Sequence, residues 1–177
     1  MDFCANTEKA AGVSSTEIYA CLVSDIDTFA ELPNKDAVTT LEAAATITDS
    51  HVFKEGKGFF KIAILPETGM VESPAEGESA SKTYVNSFSG TLPDISAKYK
   101  GFLRKYTNLP MIFIITQING QKVQLGTKVS PAYLKEAAPS SGAKAGDVVG
   151  IPVKFSDSQS YPAPDYNGTV TEFTPAE

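Results

Sequence analysis

The sequence predicts a mainly β protein: a sandwich or barrel of about seven strands with one flanking α-helix at about residues 93–107. Three observations predict it. Short apolar or alternating runs recur along the chain, separated by turns rich in Gly, Pro, Asn and Asp. Asn119-Gly120 stands between two apolar runs, the dipeptide that tight hairpins favour. One stretch stands out by carrying apolar residues at helical spacing, Ile95 to Tyr106. With no internal repeat and no linker, one domain is expected over 16–177 behind an extended arm at 1–15.

The elements follow from the residues in order. Residues 1–15 are small and polar and read as an arm, a segment that frays or reaches a neighbour. In Glu17 to Val23, Ile18, Ala20 and Leu22 share one face and Tyr19, Cys21 and Val23 the other, so this strand should be covered on both sides. Residues 24–50 are ambiguous: Leu32 to Asp36 reads as a turn, and Val38 to Ile47 fits helix and strand alike. His51 to Phe53 and Phe59 to Ile64 flank the Gly-bearing Lys54 to Gly58 and read as a hairpin. Pro66 to Ser79, crowded with Glu, Gly, Ser and Pro, reads as a long exposed loop. Lys82 to Leu92 reads as a strand with Tyr84, Asn86 and Phe88 on one face.

Pro93 and Asp94 open the helix, because proline suits the first turn and an acid suits the positive end of the dipole. Ile95, Tyr99, Phe102, Leu103 and Tyr106 form its apolar stripe. Lys98, Lys100, Arg104 and Lys105 form a basic ridge, and Asn108 and Pro110 stop the helix. Met111 to Ile118 and Gln121 to Leu125 form a hairpin with Asn119-Gly120 as the two φ > 0 residues of a type I′ turn. Val129 to Leu134 fits a short strand or one helical turn, and Ala137 to Gly146 a flexible loop. Val148 to Phe155 alternates as a strand, which Pro152 places at an edge or bulge. Ser156 to Asp165 reads as irregular and Gly168 to Phe173 as a last strand.

Among 177 residues, 42% are hydrophobic and 20% charged, which excludes a disordered tail or a fibrous repeat. Fifteen Lys plus Arg against twenty-one Asp plus Glu give a net charge of −6. That balance argues against nucleic-acid binding over the whole surface, where affinity comes from neutralising phosphates. Met1 to Asn6 carries neither a basic nor an apolar region, so no signal peptide is expected. The longest apolar run, Met111 to Ile115, falls far short of the ~18 residues that span a bilayer. Cys4 and Cys21 match no zinc spacing; both are expected reduced, Cys21 in the core of a strand.

Candidate chemistry is thin. The single histidine, His51, has Asp49 and Ser50 beside it, but triad members meet in space rather than in sequence, so a turn or cap role is expected. Asp25 and Asp27 lack the further oxygens a hard cation needs; Asp157, Asp165 and Asn167 crowd one loop, where a calcium site is conceivable and turn-forming Asx roles fit equally well. Gly56-Lys57-Gly58 lacks the third glycine and the following helix of a phosphate loop, and Asn167-Gly168-Thr169 is a formal glycosylation sequon. Tyr161 and Tyr166, flanking Pro162-Ala163-Pro164, are expected as exposed loop aromatics or as caps on the end of the fold. No cofactor, no metal and no catalytic set is expected.

Gly90-Thr91-Leu92-Pro93 before a basic helix, the hairpin Ile112 to Gly120, and the closing Val153 to Asp157 with Tyr161 to Val170 together resemble tail tube proteins, virion structural proteins of phages that infect Bacteroidetes-type bacteria. The resemblance spans most of residues 50–173. It implies a β-sandwich with a flanking helix, hexameric rings of identical subunits stacked into a tube, and a lumen through which DNA passes as non-specific cargo. It further implies no enzymatic activity, a place in the virion after synthesis in the host cytoplasm, no membrane partner, and contacts with sheath, terminator or baseplate proteins. Within that frame, Lys98, Lys100, Arg104 and Lys105 are expected at a subunit interface, and Pro66, Glu67, Glu72 and Glu76 in a stacking loop. Two other readings share the fold: a capsid decoration or neck protein, and a glycan- or protein-binding module acting through Tyr161 and Tyr166.

Overall fold

The computed structural model describes residues 14–140 and 149–173. Their order is β1 (Ser14–Leu22), a 3-10 turn (Val23–Asp25), β2 (Ile26–Thr28), α1 (Leu41–Ala44), β3 (Thr46–Ile47), β4 (Val52–Phe53), β5 (Phe60–Ala63), β6 (Met70–Glu72) and β7 (Ala75–Glu76). There follow β8 (Thr83–Leu92), α2 (Ala97–Tyr106), β9 (Met111–Gln117), β10 (Lys122–Leu125), β11 (Tyr133–Ala137), β12 (Ile151–Gln159) and β13 (Asp165–Tyr166). The fold is mixed α/β and dominated by strands. One sheet has six strands in the order β3-β13-β10-β9-β1-β5, a second runs β11-β12-β8-β6 with β7 also on β8, and β2 pairs β4 alone.

Two strands organise the interior because both their faces are apolar. On β9, Met111, Phe113 and Ile115 join Ile18 and Ala20 of β1 in one cluster with Phe88 and Leu92 of β8 and Ile151, Val153 and Phe155 of β12. The opposite face carries Ile112 and Ile114, which join Cys21, Ile26, Ala30, Ile47, Phe59 and Tyr166 in a second cluster. A half-buried strand would alternate with polar residues; the unbroken Met111 to Ile115 run fits a strand covered on both faces. Each such side chain contributes about 2 kcal/mol by leaving water. The two-faced burial expected of β1 is therefore present, with Ile18 and Ala20 in one cluster and Cys21 in the other.

The helix stripe packs as the spacing predicts. Ile95, Tyr99, Phe102, Leu103 and Tyr106 lie against the first cluster, and Tyr106 meets the rings of Phe60 at 5.1 Å and Phe102 at 5.0 Å. The helix is shorter than 93–107. Its N-cap is Ser96, because Asp94 instead accepts the Ile95 N–H at 2.6 Å and holds the preceding backbone in a turn. Asn108 stops it with a left-handed φ of 67°.

Several expectations are corrected. Of the expected arm at 1–15, residues 1–13 lie outside the described residues, as does Cys4, while Ser14 and Ser15 already belong to β1. The runs around Lys54 to Gly58 do not form a hairpin: β4 pairs with β2 and β5 with β1. Gly56 still turns the chain at φ 69°, but the turn passes it between sheets. The stretch 66–79 is not wholly a loop, since β6 and β7 both pair with β8. The Asn119-Gly120 hairpin forms, yet only Gly120 takes a positive φ, 85°. Gly120 N–H donates to Gln117 O at 2.9 Å, and the Asn119 side chain accepts from Gln121 N–H, giving a type I turn with a glycine bulge.

Pro152 stands in β12, which lies between β11 and β8 and is not an edge. Its carbonyl accepts from Ala138 just past the end of β11, so the missing N–H falls where that ladder runs out. β12 extends to Gln159, into the stretch expected to be irregular. No strand covers 168–173; the last strand is β13, and Glu172 makes only an isolated bridge to Phe59. Replacing Ile114 by Ala should cost about 3 kcal/mol in urea unfolding, the loss typical of a buried aliphatic side chain. A loss below ~1 kcal/mol would show that the second cluster is not a packed core.

Candidate functional site

Below the second cluster the interior turns polar, and a cleft opens there. His51, Gln124, Asn86, Asp157 and Gln159 are all buried, His51 at 3% exposure. His51 is not a surface turn residue. Its Nδ1 accepts the Ala30 N–H at 3.1 Å, so Nε2 carries the proton and donates to Gln124 Oε1 at 2.9 Å. The ring stacks on Tyr166 at 5.5 Å with planes 10° apart. Burial lowers the His51 pKa against the opposing pull of Gln124.

The chain of bonds continues from Gln124. Its Nε2 donates to Gly126 O at 3.0 Å, and Gly126 N–H donates to Asp157 Oδ2 at 2.6 Å. Gln159 Nε2 donates to the same oxygen at 2.6 Å. Gly126 is required here. Its φ is 89°, and a Cβ would sit 2.7 Å from Met111 O.

The cleft measures about 680 Å³ and lies over this network. Gln124, Gln159, Ala30 and Ile47 form its floor. Glu31, Leu32, Pro33, Lys35, Val129, Ser130 and Tyr161 also line it. The segment around Leu32 reaches this place because the Ala30 N–H anchors on His51. Ser130 is fixed to β12 by its hydroxyl, which donates to Ser158 O at 2.7 Å. Buried amides, a half-exposed tyrosine, hydroxyls and the charged Glu31 and Lys35 beside apolar residues suit a hydrogen-bonding ligand.

The expected residues scatter. Tyr161 is half-buried and lines the cleft, its phenol pKa raised by burial and by the nearby Asp157 and Glu31 charges. Tyr166 is not an exposed aromatic. It is 1% exposed in the second cluster; its hydroxyl accepts the His51 N–H at 3.3 Å and donates to Thr169 O at 3.1 Å. Lys98, Lys100, Arg104 and Lys105 are exposed along α2, with Lys98 5.8 Å from the Tyr99 ring and Lys105 5.3 Å from the Tyr106 ring. Pro66, Glu67, Glu72 and Glu76 are exposed on and before the short edge strands β6 and β7.

Asp157 does not share a loop with Asp165 and Asn167; it is an interior residue of β12. Lys57, far from holding phosphate, pairs with Asp25 at 3.5 Å. Among the described residues no three His, Cys, Asp or Glu side chains gather as a metal site, and no helix is long and apolar enough to cross a membrane. No family model, no curated protein and no solved structure matches this chain.

Two outcomes test the network. His51→Ala leaves the Ala30 N–H and Gln124 without their partner and opens a hole beside Tyr166, so it should cost about 3 kcal/mol in chemical unfolding. A depressed histidine pKa makes the unfolded chain bind more protons than the native one, so stability should fall as pH drops below about 6.5. His51→Gln should lack that component; an unchanged acid limb would show that the ring is free to protonate.

Gly168 packs as tightly. A Cβ there would lie 2.3 Å from Asp49 O and 2.7 Å from the Tyr166 ring. Gly168→Ala should cost at least about 2 kcal/mol in the same assay, and a neutral variant would contradict this close approach.

Proposed function

We propose that this chain is a self-assembling structural subunit, a tail-tube-type virion protein whose copies close into rings and stack into a conduit. One observation carries the reading: two exposed surfaces of opposite charge make no ion pair among the described residues. Lys98, Lys100, Arg104 and Lys105 line α2, and Glu67, Glu72, Glu76 and Glu78 line the stretch around β6 and β7, all exposed. The ion pairs among the described residues involve none of them. A chain with a basic surface and an acidic edge at separate places fits a head-to-tail contact, which closes rings or builds filaments.

The fold supports the same reading. Two sheets sharing one apolar cluster, with α2 packed on it, suit a one-domain β-sandwich with a flanking helix. The edge strand β11 has a bulge at Lys135, where the register shifts between Leu134 and Glu136, a feature that discourages indiscriminate strand pairing. Charge then selects the contact. In this reading six copies close a ring, DNA passes as cargo repelled by a net-acidic wall, and the subunit transforms no substrate.

The cleft favours a second reading, a module that binds a glycan or protein segment against Tyr161. Tyr166 has no part in it, being buried. Sedimentation separates the two. Assembly through complementary charge should weaken as salt rises, because exposed pairs are screened beyond roughly 3 Å at 1 M. Reversing Lys98, Lys100, Arg104 and Lys105 to Glu should abolish assembly, and adding Glu72→Lys and Glu76→Lys should restore it. A wild-type chain that stays monomeric at every concentration and salt overturns the tube reading and leaves the binding module.

A further inference from the structure

The inner face of β12 runs Ile151, Val153, Phe155, then Asp157 and Gln159, and β8 opposes it with Leu92, Gly90, Phe88, Asn86 and Tyr84. Asn86 and Asp157 are therefore register partners on adjacent strands, 0% and 3% exposed. Directly opposed positions bring Cβ atoms to about 5 Å. The hydrogen-bond arithmetic at this pair does not close if Asp157 is ionised. Its Oδ2 accepts from Gly126 N–H and Gln159 Nε2, while its Oδ1 has no protein donor. Asn86 Nδ2 donates to Tyr161 O at 3.3 Å, and Asn86 Oδ1 has no protein donor either. Both oxygens are then buried without a donor, which is costlier for a charged group than for a neutral one.

We propose that the Asn86–Asp157 pair is a proton-binding site: Asp157 is held as the neutral acid, and its Oδ1–H donates to Asn86 Oδ1. A single proton satisfies both acceptors and removes a buried charge. Burial pushes the Asp157 carboxyl up, against the opposing pull of the Gln159 and Gly126 bonds and of the neighbouring Asn86 amide. None of the ion pairs among the described residues involves Asp157. The titratable groups around it are Tyr161, Glu31, which acts on the Tyr161 phenol, and His51, linked through Gln124 and Gly126.

The proton has a structural consequence. Through Asn86 the pair holds the Tyr161 carbonyl, and through Asp157 it holds Gln159 and the turn at Gly126, so one proton pins residues that line the cleft. Loss of the proton sets two acceptors against each other and frees the Tyr161 segment. The site is thus a pH-sensitive latch on the cleft.

The test follows the ¹³C carboxyl resonance of Asp157 in the full chain between pH 4 and 9, together with unfolding stability. The expected titration lies above that of a free aspartate. A raised carboxyl pKa means that the native chain binds more protons, so this contribution is full below about 3.9 and is lost as pH rises through the native value. Asp157→Asn, whose amide can donate where the acid did, should stay folded and lack that loss. His51 acts with the opposite sign, so the difference between wild type and Asp157→Asn isolates the site. A resonance at its ionised position by pH 5 in the folded chain overturns the proposal, whether or not Asp157→Asn folds.

Discussion

The whole arrangement depends on one constraint: β9 and β1 must be dry on both faces. That requires a layer on each side of the six-stranded sheet. The five-stranded sheet covers one side through Phe88, Leu92, Val153 and Phe155; Ile26, Ala30 and Phe59 cover the other. The long excursion from residue 23 to 59, with so little regular structure, is thereby explained. Its task is to bring a few apolar side chains over Ile112 and Ile114, and its backbone is held at isolated anchors such as the Ala30 N–H on His51.

The polar end follows from the same geometry. Where β12 and β8 run past the aromatic pair Phe155 and Phe113, 4.4 Å apart, the inward positions become Asp157 and Asn86. An apolar filling there would close the gap that the cleft occupies. The chain instead joins buried amides, a histidine and a carboxyl into a connected network. Such networks fix one geometry when every member is satisfied, and are costly when one is not.

What was legible in the sequence was what local pattern determines. The Met111 to Ile115 run, the two-faced β1, the strand ending at Leu92 with Asn86 beside Phe88, and the helix stripe from Ile95 to Tyr106 all follow from period and burial. The polar site was not legible, because its members meet across long separations: His51 with Gln124, Gly126 with Asp157, Asn86 with Tyr161. Tyr166 misled for a related reason. Its proline-rich neighbourhood marks a loop, but Gly168 lets the chain approach closely enough for the ring to reach the interior. One signal was present: Asn86, Asp157 and Gln159 fall on the same alternation as Phe88 and Phe155, so polar residues on a core-facing row were readable as an interior site.

The proposed self-assembly rests on a doubly covered sheet and on exposed charged surfaces that form no ion pairs among the described residues. Electron microscopy of the purified full-length protein tests this most directly. Closed rings of uniform diameter around an open axis, stacking into tubes as concentration rises, are the predicted result. Fields of separate particles of one subunit's size at every concentration would contradict it.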